Sequence, residues 1–377
     1  MRYKKAKIDY KLPLEIWAAF KDEEKIMIYD TGKQDCIIGI NSIDDRMDIE
    51  EKFTFYTVPF DDKATSTRWS TMTDVKRRFR IYIIINRQES CMYYLGEQPV
   101  IEAAEITSKN HSYKFQQDDY ETWKNLFHNI KKQLSDHGVE KVVASREVKL
   151  ECDTPVDIVS VLDKLIHNNK ESYVFAFDQK GKVFLGATPE ILVQKKANSV
   201  TSYAIAGTIA KNGKKDPELG AELLNDPKNR HEHDIVINMI AEKMKHITDR
   251  VTIGSTGLME LKNLYHLETK ISVEDESLSL LDWVQILHPT PAMGGKPKDK
   301  AMAIIKKYEQ HDRGLYAAPI GIADERGNGI FVVGIRSALI DKNKIYAYAG
   351  CGLVEQSDCR LEYREINNKL QTILECL

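Results

Sequence analysis

Carboxylates at helical spacing are the first residues in this sequence that could do chemistry. Glu232 lies near the start of a predicted helix, with Asn229 three residues earlier on the same face. Further on, Glu362 and Glu365 are three residues apart, and Lys369 follows Glu365 by four residues, so all three can share one helical face. Two helices that each contribute carboxylates could hold Mg²⁺, which prefers oxygen ligands. The alternatives are an acid favoured by the helix dipole and a solvated face with an ordinary ion pair, and spacing alone does not decide.

A lysine and another glutamate could supply acid and base chemistry. Lys141 opens a predicted strand whose next residues are mostly apolar. A lysine kept out of water loses its proton more readily and can then act as a general base, although lysines at strand ends also extend to solvent. Glu190 follows a predicted strand and a turn. It would be either a proton donor or an exposed loop acid.

The elements that must position these residues come in clusters. Strands are predicted at 80–85, 141–150, 173–177, 183–185, 329–339 and 344–349. Helices are predicted at 118–137, 156–168, 217–224, 228–250, 298–307 and 361–374. Because strands follow strands before a helix intervenes, the grouping favours an α+β fold with large antiparallel sheets over a strict alternation of strand and helix.

Length and patterning favour one compact unit. The 377 residues contain no repeat and no low-complexity stretch. Residues 1–114 carry no chemical motif, and we expect them to form the N-terminal part of the sheet scaffold, whereas 115–377 would form the catalytic region. The sequence has no GxxxxGK[ST] phosphate loop and no complete GxGxxG dinucleotide motif.

Charge and apolar runs exclude several kinds of partner. A net charge of -3 does not favour nucleic acid, which usually demands a basic excess. No apolar run approaches the ~20 residues that a membrane span needs, and no secretory core can be drawn near the start of the chain. The six cysteines include no CxxC pair, which is typical of free thiols. We therefore expect a cytoplasmic protein without nucleic-acid or membrane partners.

Several segments, taken in order, resemble the chorismate-utilising enzymes, a family that includes isochorismate, salicylate, anthranilate and aminodeoxychorismate synthases. They are 141–146 (KVVASR), 186–190 (GATPE), 206–208 (AGT), 228–233 (KNRHEH), 287–295 (LHPTPAMGG), 312–316 (DRGLY), 334–338 (GIRSA) and 349–352 (AGCG). The resemblance covers about residues 115 to 375. It implies a single-domain α+β fold with two packed, mostly antiparallel β-sheets flanked by helices.

Carried over position by position, the resemblance implies roles for the candidate residues. Lys141 resembles the general base that activates water, Glu190 the general acid that protonates a departing hydroxyl, and His266 the family's active-site histidine. Glu232 and Glu365 look like the Mg²⁺ carboxylates, with Glu362 in support. The implied substrate-binding residues are Gly207, Thr208, Ala292, Tyr316, Arg336, Gly350, Gly352 and Lys369. Asn229 stands where an acid is often found one turn before the metal ligand, which would weaken support for the metal.

These residue types suit the chemistry of chorismate. The substrate is a dianion and needs fixed cations: Mg²⁺ at its ring carboxylate, and an arginine and a tyrosine at its enolpyruvyl carboxylate. Water would add at C2 of the ring while the C4 hydroxyl leaves. Water is a poor nucleophile and hydroxide a poor leaving group, so a base and an acid are both needed.

Differences from related synthases narrow the expected reaction. Ala206 stands where aminodeoxychorismate synthases of the lysine-nucleophile type carry Lys, and 287–295 departs from the corresponding anthranilate synthase segment. The HPTPA form resembles isochorismate synthases, and Ala292 stands where salicylate synthases tend to carry Thr. We therefore expect conversion of chorismate to isochorismate without an amidotransferase subunit. The 365–369 segment favours the menaquinone type over the siderophore type, and a salicylate synthase or a non-catalytic chorismate binder are the alternatives.

Overall fold

Strands dominate the part of the chain that the computed structural model describes, which comprises residues 1–9, 12–44, 46–61, 68–72, 76–102, 104, 106, 109–116, 120–135, 138–211, 217–261 and 264–377. The strands are β1 (Lys4–Lys7), β2 (Lys25–Asp30), β3 (Asp35–Ile43), β4 (Phe53–Thr57), β5 (Lys76–Ile85), β6 (Ser90–Tyr94), β7 (Tyr113–Phe115), β8 (Lys141–Cys152), β9 (Tyr173–Gln179), β10 (Lys182–Thr188), β11 (Ile191–Lys196), β12 (Ser199–Ala210), β13 (Val251–Ile253), β14 (Gly257–Glu260), β15 (Leu264–Glu274), β16 (Gly295–Lys296), β17 (Pro319–Asp324), β18 (Gly329–Val333), β19 (Ser337–Asp341) and β20 (Lys344–Leu353). The helices are α1 (Pro13–Ala19), α2 (Tyr120–Ser135), α3 (Ile158–Asn168), α4 (Pro217–Asn225), α5 (Pro227–Lys245), α6 (Leu280–Leu287), α7 (Lys298–Tyr308) and α8 (Cys359–Leu374).

The strands form two antiparallel sheets that are joined through β5. In the first sheet the order is β1-β6-β5-β3-β2-β9-β10-β19-β20-β8, with β7 and β16 both paired to β8. In the second it is β5-β4-β17-β18-β11-β12-β15, with β13 and β14 paired to β15. The predicted α+β fold with two large antiparallel sheets is confirmed.

Central strands are buried on both faces because helices and the opposite sheet cover them. β10 is buried at every residue after Lys182, and α3 packs on it and on β9. On the second sheet α5 packs against β12 and β15, while α2, α7 and α8 pack around β8 and β20. Strands from the first hundred residues belong to both sheets, since β2 pairs with β9 and β4 pairs with β17. The domain boundary at residue 114 stays a prediction.

Two elements predicted from the sequence were wrong in extent, the first at its end and the second in its middle. The helix predicted over 228–250 ends at Lys245, because the chain then turns into β13. The strand predicted over 329–339 is two strands, β18 in the second sheet and β19 in the first. The break lies at 334–336, where Arg336 adopts a left-handed φ of 51°, a conformation that ends regular pairing. Helix α6 was not predicted, although Ser279 and Asp282 form a capping box at its start.

The chain crosses between the two sheets at two neighbouring places. β10 of the first sheet is followed by β11 of the second, and Glu190 lies in the short connection. β18 of the second sheet is followed by β19 of the first, with Arg336 in that connection. Because β10 pairs with β19 and β11 pairs with β18, both crossings lie at the same junction.

Candidate active site

A cavity at this junction contains about 700 Å³ of space not occupied by protein atoms, part of which is open to solvent. The first sheet contributes residues of β8 and β20, the second contributes residues of β12 and β15, and helices α5 and α8 contribute carboxylates. Residues predicted from the sequence that line this cavity are Lys141, Glu190, Gly207, Thr208, Glu232, His266, Ala292, Tyr316, Arg336, Gly350, Gly352, Glu365 and Lys369. Glu362 is not among the lining residues. The structure thus brings the candidates together, while their roles stay predictions.

Lys141 is buried and held by a carboxylate. Its side chain is 1% exposed, and its Nζ donates to Oε1 of Glu232 at 2.8 Å. Burial opposes ionisation of Glu232, but the hydrogen bond and charge of Lys141, together with the charges of Lys369 and Lys228, lower the pKa of the carboxyl below its usual range. A Cβ at Gly352 would lie 2.5 Å from Lys141 Cε and 2.7 Å from that Oε1, so only glycine fits beside the pair.

Glu190 is a buried carboxyl in a cavity that also contains cations. Its residue is 4% exposed, and burial raises its pKa to about 8, although the charges of Lys141, Lys369 and Arg336 act in the opposite direction. At neutral pH this carboxyl is therefore mostly protonated. A protonated carboxyl beside a bound ligand is able to donate a proton, which an exposed loop acid with an ordinary pKa cannot do well.

His266 is a neutral acceptor for Arg336. Nη2 of Arg336 donates to His266 Nε2 at 3.0 Å. Since arginine only donates, Nε2 carries a lone pair and Nδ1 carries the proton. Nδ1 then donates to Thr208 Oγ1, which lies 2.9 Å away. Burial and the charge of Arg336 lower the pKa of His266 well below its usual value, so the ring is uncharged at neutral pH. The ring therefore orients Arg336.

Arg336 is poised to bind an anion. It is 7% exposed, and burial lowers its pKa to about 10, which still leaves it charged at neutral pH. In the described part of the chain no carboxylate lies close enough to form an ion pair with it. Its left-handed backbone is an uncommon conformation for a residue with a side chain, and such conformations are concentrated at functional sites.

Strand β12 is irregular where it lies beside His266, the partner of Arg336. Gly207 forms a bulge with φ of 78°, opposite which the pairing with β15 shifts by one residue. The backbone N–H of Thr208 donates to Oδ1 of Asn229 at 3.0 Å, and Nδ2 of Asn229 donates to Asp226 at 2.7 Å. Asn229 was considered from the sequence only as a weakened support for a metal. Its observed contacts fix the Gly207 bulge instead. The AGT segment at 206–208 was the sequence signal that could have pointed to this bulge.

Tyr316 and Lys369 lie around Gly350. Tyr316 is buried and stacks on Tyr348 at 5.3 Å between ring centroids, and burial raises its pKa, so its hydroxyl stays protonated. Lys369 Nζ donates to the carbonyl oxygen of Gly350 at 3.0 Å and to Oε1 of Glu365 at 2.6 Å. The ion pair expected from the i,i+4 spacing is therefore present, but it lies on the cavity wall and not on a solvated face.

Glu362 lies behind the cavity with its own lysine. Lys228 Nζ lies 3.1 Å from Oε1 of Glu362, whose side chain is 4% exposed. Burial and the neighbouring Glu365 carboxylate raise the pKa of Glu362. Each of the three predicted metal carboxylates thus pairs with a lysine.

The donor set suits Mg²⁺ only with help from a ligand. Glu232 and Glu365 both line the cavity and provide the oxygen atoms that this ion prefers. Within the described ranges, no three His, Cys, Asp or Glu side chains lie close enough together to hold a metal ion. Mg²⁺ typically keeps waters and binds one or two protein carboxylates together with substrate oxygens, so these two residues fit it.

Sequence reasoning did not identify the residues that hold the cavity wall from behind. Arg313 is 4% exposed, pairs with Glu309, and donates to the carbonyl oxygens of Met293 (2.9 Å) and Val143 (2.7 Å), both of which belong to lining residues. It therefore ties β8 to the 287–295 segment. The DRGLY segment carried this signal, but it was used only for its tyrosine.

Comparison with known proteins agrees with this geometry. The profile of the chorismate binding enzyme family matches residues 84–377. The chain belongs to this family. Chorismate binding enzymes among its relatives include isochorismate synthase MenF of Bacillus subtilis, which is 40% identical over 285 residues, 74% of this chain and 58% of the relative. The salicylate biosynthesis isochorismate synthase of Pseudomonas aeruginosa is 40% identical over 221 residues, 58% of this chain and 46% of the relative. The chain thus spans about half the length of these relatives.

Solved structures of this family share the fold. The menaquinone-specific isochorismate synthase MenF from Escherichia coli superposes with a TM-score of 0.86 over 100% of this chain and 94% of its own, at 20% identity. Anthranilate synthase component I from Streptococcus pneumoniae gives a TM-score of 0.70 over 99% and 92% of the two chains, at 16% identity. At these identities the likeness shows the architecture.

Proposed function

We propose that this chorismate binding enzyme is an isochorismate synthase, which adds water at C2 of chorismate while the C4 hydroxyl leaves. The observation that carries the proposal is the pairing, in one cavity, of a buried amine, Lys141, with a buried carboxyl, Glu190, whose pKa is about 8. A protein that only bound chorismate would need neither a base nor an acid. The relatives whose names include isochorismate synthase support the same reaction.

Binding of the substrate would use the cations of the cavity. Chorismate carries two carboxylates, and Arg336 is a buried guanidinium that His266 already orients. Tyr316 adds a protonated hydroxyl beside Gly350, and Lys369 adds an ammonium that donates to the carbonyl oxygen of Gly350. These groups would fix the ring and hold its reacting carbons in place.

Lys141 would accept a proton from the attacking water. Its amine is held by Glu232, and the absence of a side chain at Gly352 leaves room for this pair. It must be neutral to act, so the ammonium has to lose its proton before water adds. The water then loses a proton to the amine as its oxygen bonds to C2.

Glu190 would supply the proton that the leaving hydroxyl needs. Hydroxide is a poor leaving group, whereas a protonated hydroxyl departs as water from C4 as the ring double bonds shift. Because the carboxyl is mostly protonated below pH of about 8, it can serve as a general acid at neutral pH.

Mg²⁺ fits as the cofactor, held by Glu232 and Glu365 with Glu362 in support. Its charge would neutralise a substrate carboxylate. The requirement is tested by chelation, after which Mg²⁺ should restore turnover.

The pathway, cellular location and partners of the enzyme are proposed from its relatives and its sequence. A solved structure with the same fold is that of a menaquinone-specific isochorismate synthase, and one relative is an isochorismate synthase of salicylate biosynthesis. We favour the menaquinone role, with a siderophore role as the alternative. Ala292 lines the cavity where salicylate synthases tend to carry Thr, which disfavours a subsequent loss of pyruvate. No helix in the described ranges is long and apolar enough to cross a membrane. We propose a cytoplasmic enzyme that acts without an amidotransferase subunit and without nucleic acid.

Product analysis tests the proposal. Purified protein is incubated with chorismate and Mg²⁺, and the products are separated by chromatography. Isochorismate is expected as the product, and its formation should collapse in Lys141→Ala while ligand binding survives. Salicylate with pyruvate would instead identify a salicylate synthase, anthranilate formed with ammonia would identify an aminating enzyme, and no product would indicate a binding protein.

A further inference from the structure

A second cavity lies beside the active site, on the other side of the Arg313 and Glu309 pair. It contains about 920 Å³ of space not occupied by protein atoms, part of which is open to solvent, and is bounded by α2, by β8 and by the segment that follows α7. Trp123, Ser145 and Arg146 form its buried floor, while Asn125 and Asn129 are exposed at its rim. The proposed catalytic mechanism makes no use of this cavity.

Arg146 is a buried cation in this floor without a carboxylate partner. It is 6% exposed, and its Nη1 donates to Oδ1 of Asn367 at 2.8 Å. Nη2 makes only a long contact of 3.5 Å to the hydroxyl of Tyr363, whose ring lies 4.4 Å from the guanidinium carbon. Its Nε is buried and has no hydrogen-bond partner. No ion pair joins it to any carboxylate in the described ranges, and a buried charge without a counter-charge is costly.

Two other buried arginines near the active site can be compared with Arg146. Arg313, which holds the cavity wall, pairs with Glu309 and donates to two carbonyl oxygens. Arg336 lacks a carboxylate partner, lies on a cavity, and is the proposed substrate-binding cation. Arg146 resembles Arg336 in both respects, since neutral side chains hold it and it borders an open space. Beside the active site, the arginine that holds the wall has its charge matched by a carboxylate, whereas the arginine proposed to bind substrate does not.

Neighbouring charges do not supply the missing anion. Glu147, which also borders the cavity, pairs with Arg68 and accepts a hydrogen bond from the Tyr348 hydroxyl at 2.8 Å. Burial lowers the pKa of His311, so this ring is neutral at neutral pH. Lys149, whose side chain is 47% exposed, lies 3.8 Å from the same Glu147 carboxylate, so this one anion faces both Arg68 and Lys149. The lining therefore has a surplus of positive charge around a floor that includes an indole ring.

We propose that this second cavity binds a small carboxylate-bearing molecule, with its carboxylate on Arg146 and its apolar part against Trp123 and Leu126. The carboxylate would provide the counter-charge and an acceptor for guanidinium donors. Occupancy would also reach the active site, because Arg146 bonds to Asn367 of α8, two residues from Glu365. That coupling rests on the proposed function, whereas binding itself does not.

Fluorine NMR with 4-fluorobenzoate tests the binding without any turnover. Because the probe can also bind at Arg336, every measurement is made in the Arg336→Gln background, with and without the second substitution. A bound signal is expected in Arg336→Gln, and its affinity should fall at least tenfold when Arg146→Gln is added. Failure of the proposed reaction would leave this readout intact.

Two rim variants keep the test decisive if Arg146→Gln does not fold. Asn129→Trp places a ring at the exposed rim and should weaken the same signal at least tenfold, whereas Lys132→Trp, on the exposed side of the same helix, should leave it unchanged. A signal that is unaffected by both Arg146→Gln and Asn129→Trp would overturn the proposal. So would the absence of any bound signal in Arg336→Gln at millimolar probe.

Discussion

The raised pKa of Glu190 predicts a specific pH dependence and a specific effect of its removal. With a pKa of about 8, protonated carboxyl outnumbers carboxylate about ten to one at pH 7. With an ordinary glutamate pKa, only about one carboxyl in 300 would be protonated at that pH. Because the acid form is the active one, titration of Glu190 should contribute to kcat/KM a factor that is level up to about pH 8 and then falls about tenfold for each further pH unit, and the ratio of wild-type to Glu190→Gln kcat/KM should follow this curve.

Glu190→Gln should remove both the acid and its titration. The amide has nearly the same shape as the protonated carboxyl, so the fold should be retained, which thermal unfolding would check. Loss of a general acid lowers turnover about 10²–10⁴-fold. Initial rates of isochorismate formation are measured from about pH 6 to about pH 10, with the variant as control for other titrating groups. The reasoning is refuted if wild-type activity already declines from about pH 5, or if the variant keeps turnover within threefold, roughly, of wild type.

Three further substitutions probe the cavity wall. Gly352→Ala should lower turnover at least about tenfold, because its Cβ would lie 2.5 Å from Lys141 Cε, whereas Gly257→Ala, with no atom within 4 Å, should have no effect. Asn229→Ala removes the acceptor for the backbone N–H of Thr208 in the Gly207 bulge and should raise KM about fivefold. Asn238→Ala, on the exposed side of the same helix, is the control, and equal KM values for the two variants would contradict this role of Asn229. His266→Ala should raise KM about tenfold or more through its arginine partner without moving the pH profile, since the ring is already neutral. A lost or displaced pH limb would show that the histidine itself titrates in catalysis.

Helix periodicity and residue order were enough to find much of the site. Helices α5 and α8 carry Glu232, Glu365 and Lys369 on regular amphipathic segments, so spacing alone placed them on shared faces. The strand opened by Lys141 was also predicted, because valines and other apolar residues recur along it. Their convergence on one cavity came from the resemblance, since local patterns do not encode which helix lies beside which strand.

What the sequence could not show depends on long-range pairing. Arg336 was placed inside one predicted strand, because β18 and β19 are both apolar and only their different partners separate them into two sheets. The ion pair of Lys141 with Glu232 joins residues about ninety positions apart, and no local rule relates them. Arg146 was read only as part of a motif, because its lack of a counter-charge is visible only in three dimensions.

Isotope labelling tests most directly whether Lys141 and Glu190 direct water to one carbon while a hydroxyl leaves another. The reaction is run in ¹⁸O-labelled water and stopped early, and the isochorismate is analysed by mass spectrometry with fragmentation. Our account predicts one solvent oxygen per product molecule, located at C2, with no label at any other position. Product that contains no solvent oxygen would mean that the original hydroxyl migrates within the substrate, which would contradict the proposed base and acid.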